Sequence, residues 1–467
     1  MQIKKIDVIW NYFATFLKIA ASAILLPIIL RVLPSQDVGI WAIFSTISAL
    51  IFLIDFGFNS SFSRNVTYVL SGVQSLQKEG FPSDHKGLAI NYNLLKGLLK
   101  AMRWFYSRVS FILLLLLLTV GTYYINIILK NYEGDKSQIF IAWILFCLIN
   151  TYNLYTLYYD ALLEGMGLIK ASKQITILGN LIYLLIGSLL VWKGFGLIAL
   201  VLAQLLSVIV IRVLAYRMFF TKQMIEKLAN IVEYPRKAVI NAISPNAFKY
   251  GITSLGGFMI QKSSVFIGSM FIALSAIASF GITKQLFDII IAVANITLVT
   301  YLPQITNLRI EGDNKRIKEI FLKGILISNI VYLIAGLSLI ILGPIILSFI
   351  GSNTELVSLR VMMAMFISSF IGLNAGISGA VISTRNEIPF MKPSIYSGIA
   401  TVILLIAIFK FTNLGLFGMA LAPGVIDLCY QGWKWPLMVF RDLKITLEDV
   451  KIICGNVFSK NTKIIRK

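Results

Sequence analysis

Four lysines and one aspartate stand where water should be scarce. Lys18, Lys249, Lys262, Lys284 and Asp288 fall inside long apolar runs. A charge at the centre of a membrane-spanning helix costs about 2.5–3.5 kcal/mol on insertion scales, so it faces protein or a water-filled cavity. Lys284 and Asp288 are four residues apart and can pair across one helical turn. The deep charges are mostly cationic, and ammonium groups in a cavity offer charge-assisted hydrogen bonds to phosphate or pyrophosphate oxygens. The chemistry expected is anion binding. Three cysteines, Cys147, Cys429 and Cys454, lie far apart with a single histidine, His85, and no CxxC pair. Neither a metal site nor a cofactor is expected from that set, and no acid/base or nucleophilic constellation stands in an outer loop.

Polar residues run in stripes along the same segments. Asn11, Thr15, Lys18 and Ser22 share one helical face, as do Ser45, Ser48, Asp55 and Asn59. Asn150, Asn153, Asp160 and Glu164 form a third stripe; Asn246, Tyr250, Thr253, Gly257, Gln261 and Ser264 form a fourth, with Lys249 and Lys262 beside it. Asn295 continues the face of Lys284 and Asp288. Long lysine stems can instead snorkel to the interface, and polar side chains can simply join helices. Both readings stay open for Lys249 and Arg64, near helix ends, and Asp55, Asp160 and Glu164 are close enough to the inner surface to be ambiguous. For Lys18, Lys262, Lys284 and Asp288 the distance to either end favours a cavity.

The elements that must position these residues follow from composition. Of 467 residues 58% are hydrophobic and 13% charged, with a mean hydropathy of +0.83, whereas a soluble domain carries about a quarter charged residues. Apolar runs recur along almost the whole length, at 9–33, 37–63, 105–130, 137–163, 171–192, 195–217, 243–272, 275–303, 319–350, 356–384, 390–411 and 414–440. Each reaches the length of about 20 residues that a spanning helix needs, which predicts an all-α integral membrane protein of about twelve spans. The first run is longer than a signal-peptide core and lacks an obvious cleavage site, so it reads as the first span.

The net charge of +21 does not point to nucleic acid, because the basic residues gather in alternate connections. Arg64–Arg103, Lys170 and Lys173, Arg212–Lys237, Arg309–Lys323, Arg385 with Lys392, and Arg441–Lys467 form one set. The other holds only Arg31, Lys130, Lys136, Lys193, Arg360 and Lys410. The positive-inside rule then places both termini in the cytoplasm, with an even number of spans. Within the polar stretch 71–100, NYNLLKGLLKAMRWF reads equally as a surface-lying amphipathic helix and as an extension of the third span.

The polar segment TKQMIEKLANIVEYPRKAV divides the spans into sixes. The expected domains are a lobe at 1–220, a linker at 221–242, a lobe at 243–440 and a basic tail at 441–467. Gly39 in QDVGIWAIF and Gly281 in AIASFGITK occupy equivalent places, and LLEGMGLIKAS echoes VISTRNEIPFMKPS. Repeated halves are frequent in transporters, with the site between them.

The chain resembles bacterial polysaccharide-biosynthesis flippases of the O-antigen type, lipid-linked oligosaccharide exporters within the superfamily that also holds multidrug and toxin extruders. The likeness rests on LLPIILRVLPSQDVGIWAIF and on LIDFGFNSSFSRNV, where Asp55, Gly57 and Arg64 match the family's aspartate, glycine and arginine. It implies a MATE-like inverted V of two six-helix lobes in the bacterial inner membrane, around a cationic cavity that opens alternately to each side. The implied cargo is an undecaprenyl-pyrophosphate-linked oligosaccharide, flipped from the cytoplasmic to the periplasmic leaflet for O-antigen or capsule and driven by an H⁺ or Na⁺ gradient. The implied partners are membrane lipids, a polysaccharide polymerase and glycosyltransferases. On that reading Lys18, Arg64, Lys249, Lys262 and Lys284 hold the cargo, and Asp55, Asn59, Asp160, Gln261 and Asp288 serve the cavity or the ion; Glu164 is a further carboxylate. A MATE-type cation antiporter would want an acidic or aromatic cavity. A membrane glycan polymerase or ligase would need catalytic groups outside, and a passive scaffold would need no buried charge.

Overall fold

Hydrocarbon offers a backbone no hydrogen-bond partners, so each apolar run must satisfy its own, and the α-helix does this within one segment. The computed structural model of the chain is accordingly helical. It describes Trp10, Phe13 and Leu17, then residues 24–76, 89–229, 231–232, 234–385, 389–446 and 448–452, none of them in a strand. Asn11, Thr15, Lys18, Ser22, His85, Asn386 and Cys454 lie outside the described residues.

Among the described residues, nine helices are long and apolar enough to cross a membrane. The remaining expected spans are accounted for individually. The first lies mostly outside the described residues; the seventh is the helix Arg236–Gln261, whose apolar density is diluted by Asn241, Ser244 and Lys249. The last is divided at Tyr430 into Gly415–Cys429 and Gln431–Asp442. A multi-pass, all-helical membrane protein of about twelve spans follows.

Several predicted spans are interrupted. The expected helix at 37–63 is two, Ser35–Leu53 and Phe58–Leu70, because Phe56 and Gly57 both adopt left-handed backbone with φ of 49° and 72°. That conformation costs a non-glycine residue about 1–2 kcal/mol, and packing holds it. The Phe56 ring stacks on Phe248 with centroids 5.7 Å apart, over Gly251, where a Cβ would lie 2.3 Å from Phe56 Cδ1. Asp55 braces the turn, accepting from the Asn59 backbone N–H at 3.1 Å and from Tyr106 Oη at 2.5 Å. The third span begins at Tyr92, capped by the Asn91 side chain, and continues through one π turn at Leu117–Gly121. The segment after Asn91 is therefore an extension of the span.

The chain forms two compact units: Met1–Leu255 with Ala273–Ala278 and Ser352–Thr354, and Gly256–Ile272 with Ser279–Gly351 and Glu355–Lys467. Unit one is built around Trp143, fully buried and packed against Phe44 and Phe146 at 5.5 and 5.6 Å. Trp143 Nε1 donates to Thr122 Oγ1 at 3.0 Å, satisfying its one polar atom. In unit two the buried Tyr332 stacks on Phe366 at 5.2 Å and donates its hydroxyl to the Phe366 carbonyl at 2.8 Å.

Candidate functional site

Unit two encloses a cavity of about 430 Å³ lined by parts of several helices. Its polar wall comes from Gln261, Lys262, Lys284, Asp288 and Asn295, and its apolar wall includes Phe280, Phe287, Ile291 and Met365. Lys262 sits at a break between Arg236–Gln261 and Ser263–Gly268, with φ of −117°. Lys284 and Asp288 lie one turn apart on Leu274–Glu311, as their spacing predicts.

One carboxylate serves both cations. Lys262 Nζ donates to Asp288 Oδ2 at 2.6 Å, and Lys284 Nζ donates to Asp288 Oδ1 at 3.4 Å. The three side chains are half-buried, at 35%, 20% and 32% exposure for Lys262, Lys284 and Asp288. The trio carries one positive charge in excess, beside a space large enough for an anionic group.

Small residues make that space. Gly372 and Gly376 line it together with Ser368 and Ser369. A Cβ at Gly376 would meet nothing within 4 Å, and one at Gly372 would touch Asp427 Oδ2 at 3.7 Å. Asp427 lines the same cavity and is 9% exposed. It makes no side-chain hydrogen bond or ion pair among the described residues. Sequence reasoning passed over it although the signal was present: a carboxylate inside an apolar segment is costly wherever it stands.

The structure thus brings together Lys262, Lys284, Asp288, Gln261 and Asn295. The other predicted residues stand elsewhere. Arg64 is exposed on Phe58–Leu70, Asp55 belongs to the turn that precedes that helix, and Asn59 lies in its first turn. Asn59 Oδ1 is buried with no hydrogen-bond partner among the described residues. Lys249 lies on Arg236–Gln261, and Lys18 is outside the described residues. Asp160 accepts from Arg212 Nη1 at 2.9 Å, while Asn153 Oδ1 accepts from Arg212 Nη2 at 2.6 Å. Arg212, read from the sequence as the start of a cytoplasmic basic stretch, is instead inside Gly196–Phe219 and 4% exposed. A buried guanidinium needs acceptors, and the Asn153 and Asp160 stripe supplies them. Glu164 pairs with Lys173 at 3.4 Å.

No family model and no curated protein matches the chain. Solved structures do. An inward-facing multidrug resistance MATE family transporter of the MOP superfamily aligns over 91% of this chain and 95% of its own at 12% identity, with a TM-score of 0.66. The lipid II flippase MurJ, in an inward closed conformation, aligns over 97% and 90% at 13% identity, with a TM-score of 0.61. An outward-facing MATE transporter aligns over 94% and 96% at 13% identity, with a TM-score of 0.55. At such identities the shared property is the fold, which is MATE-like over the aligned part of the chain.

Proposed function

We propose that this chain is a flippase that carries an undecaprenyl-pyrophosphate-linked oligosaccharide from the cytoplasmic to the periplasmic leaflet of the bacterial inner membrane, for assembly of a surface polysaccharide such as O-antigen or capsule. The observation that carries the reading is the cavity in which Lys262 and Lys284 share the single carboxylate of Asp288. Pyrophosphate oxygens can accept from both ammonium groups and so exchange one anionic partner for another at small cost. The MATE-like fold, which this chain shares with a lipid II flippase, is compatible with alternating access. No bond in the cargo changes, so no enzymatic chemistry is required.

Coupling to an H⁺ or Na⁺ gradient has a place in the same cavity. With Asp288 and Asp427 both ionised, their two charges offset Lys262 and Lys284; a proton or Na⁺ on Asp427 restores the excess positive charge. Ion occupancy of Asp427 thus changes the charge that the anionic cargo meets, and the two ligands are coupled through one cavity, as linkage requires. Both termini on the cytoplasmic side, and neighbouring glycosyltransferases and a polymerase, complete the reading.

The test is reconstitution of the purified chain in vesicles loaded either with a labelled undecaprenyl-pyrophosphate oligosaccharide or with a cationic dye. Movement of the sugar lipid without dye efflux is expected. Dye efflux without sugar-lipid movement would overturn the reading in favour of a cation extruder.

A further inference from the structure

A second cavity in unit two, of about 330 Å³, lies apart from the lysine–aspartate site and has a different construction. It is formed on the helix Gln431–Asp442, where Lys434, Leu437, Met438 and Arg441 follow one another at i, i+3, i+4 and i+7. That spacing is a single helical face with a cation at each end and apolar side chains between. Tyr430, Pro389 and Trp435 complete the lining, and Trp435 is 4% exposed and edge-on to Phe390 at 5.1 Å.

The two aspartates that follow this helix face on the chain are already committed. Asp442 pairs with both Arg309 and Arg385, and Asp449 pairs with Lys318 at 2.8 Å. Neither Lys434 nor Arg441 has a side-chain ion pair or hydrogen bond among the described residues. Among the described residues the cavity therefore presents two cations without an ion-pair partner, flanking apolar surface. Tyr430 and Trp433, 38% and 48% exposed, stand at the same helix break, the kind of aromatic placement found where a membrane meets water.

We propose that this cleft is a binding site for an anionic glycerophospholipid of the membrane, with its phosphate groups held by Lys434 and Arg441 and its apolar part against the apolar side chains of the lining. Seven residues of helix separate the two cations by about 10 Å along the axis. A headgroup with two phosphates spans that distance better than a headgroup with one, so diphosphatidylglycerol is preferred over phosphatidylglycerol, and zwitterionic phosphatidylcholine is not held. The site does not depend on the cargo reading, because none of its residues lines the larger cavity.

Native mass spectrometry of the detergent-purified full chain, titrated separately with diphosphatidylglycerol, phosphatidylglycerol, phosphatidylcholine and inorganic phosphate, tests the proposal. The expected order of affinity is the order in which the three lipids are named, with inorganic phosphate not retained. Lys434→Gln with Arg441→Gln should weaken diphosphatidylglycerol binding about thirty-fold, from about one kcal/mol per cation at a membrane surface. Lys434→Arg with Arg441→Lys keeps the charges and should keep the affinity, and thermal unfolding of both variants separates lost binding from lost folding. Unchanged affinity in a folded double-Gln variant, equal retention of phosphatidylcholine, or equal retention of inorganic phosphate would each overturn it.

Discussion

Lys262 Nζ lies 2.6 Å from Asp288 Oδ2, joining the helix break after Gln261 to the middle of Leu274–Glu311 across 26 residues of sequence. Lys284 completes the arrangement from one turn away at 3.4 Å. The carboxylate thus holds two cations that would otherwise repel each other inside the membrane, and its removal separates structural from functional roles.

Asp288→Asn should lower stability and raise anion affinity together. Leaving a fully buried charge unpaired costs about 3–5 kcal/mol; these side chains are 20–35% exposed, which reduces the expected loss to about 1–3 kcal/mol. Thermal unfolding in detergent should show the loss, and added inorganic pyrophosphate should restore stability more in the variant than in the parent. A variant as stable as the parent, with no pyrophosphate effect, would contradict the pairing.

The Arg212 network should be structural. Arg212→Ala leaves Asp160 without its cation and Asn153 without its donor, and because Asp160 is 32% exposed the expected cost is about 1–3 kcal/mol. Adding Asp160→Asn should recover part of that, so the double variant should lose less than the two single losses combined. Strict additivity in thermal unfolding would show the pair is not coupled.

Gly251→Ala tests the left-handed turn at Phe56. A methyl group there would stand 2.3 Å from Phe56 Cδ1 and 2.6 Å from its Cα, and the backbone contact cannot be relieved by a rotamer change. A loss of about 1–3 kcal/mol is expected for such overpacking, partly recovered by Phe56→Gly, which relaxes the strained φ. Unaltered stability on Gly251→Ala would mean that the two helices do not approach as described.

Asp449 supplies a pH prediction outside the spans. Hydrogen bonds from Lys318 Nζ and from the Thr446 N–H and hydroxyl hold its carboxyl at about 2, below the ordinary 3.8. A depressed folded-state value means its stabilisation is complete above about 4 and is lost as the pH falls through about 2. Protection of the amides in 448–452, taken relative to the intrinsic exchange rate at each pH, should fall over that window, and Asp449→Asn should show the lower protection already at pH 5.

Much of the fold was legible because lipid leaves the chain so few choices: long apolar runs become helices, and Lys284–Asp288 pairs because both partners are local. What escaped the sequence depends on packing between segments distant along the chain. The break at Phe56 and Gly57 is set by Gly251 and Phe248, and the bond from Lys262 to Asp288 requires two helices to meet at one height. Arg212 was counted with the basic stretch Arg212–Lys237, yet it is buried and bonded to Asn153 and Asp160. Asp427 left its signal in plain view, as a carboxylate in an apolar segment.

The central claim is that Lys262 and Lys284 hold the anionic headgroup of the cargo. Its most direct test is the initial rate of undecaprenyl-pyrophosphate oligosaccharide translocation in vesicles by the parent chain, Lys262→Ala, Lys284→Ala and the double variant, each first shown to be folded by thermal unfolding. Loss of a charge-assisted contact predicts a fall of about ten-fold for each single variant and further loss in the double. Parent-like translocation by a folded double variant would contradict the account.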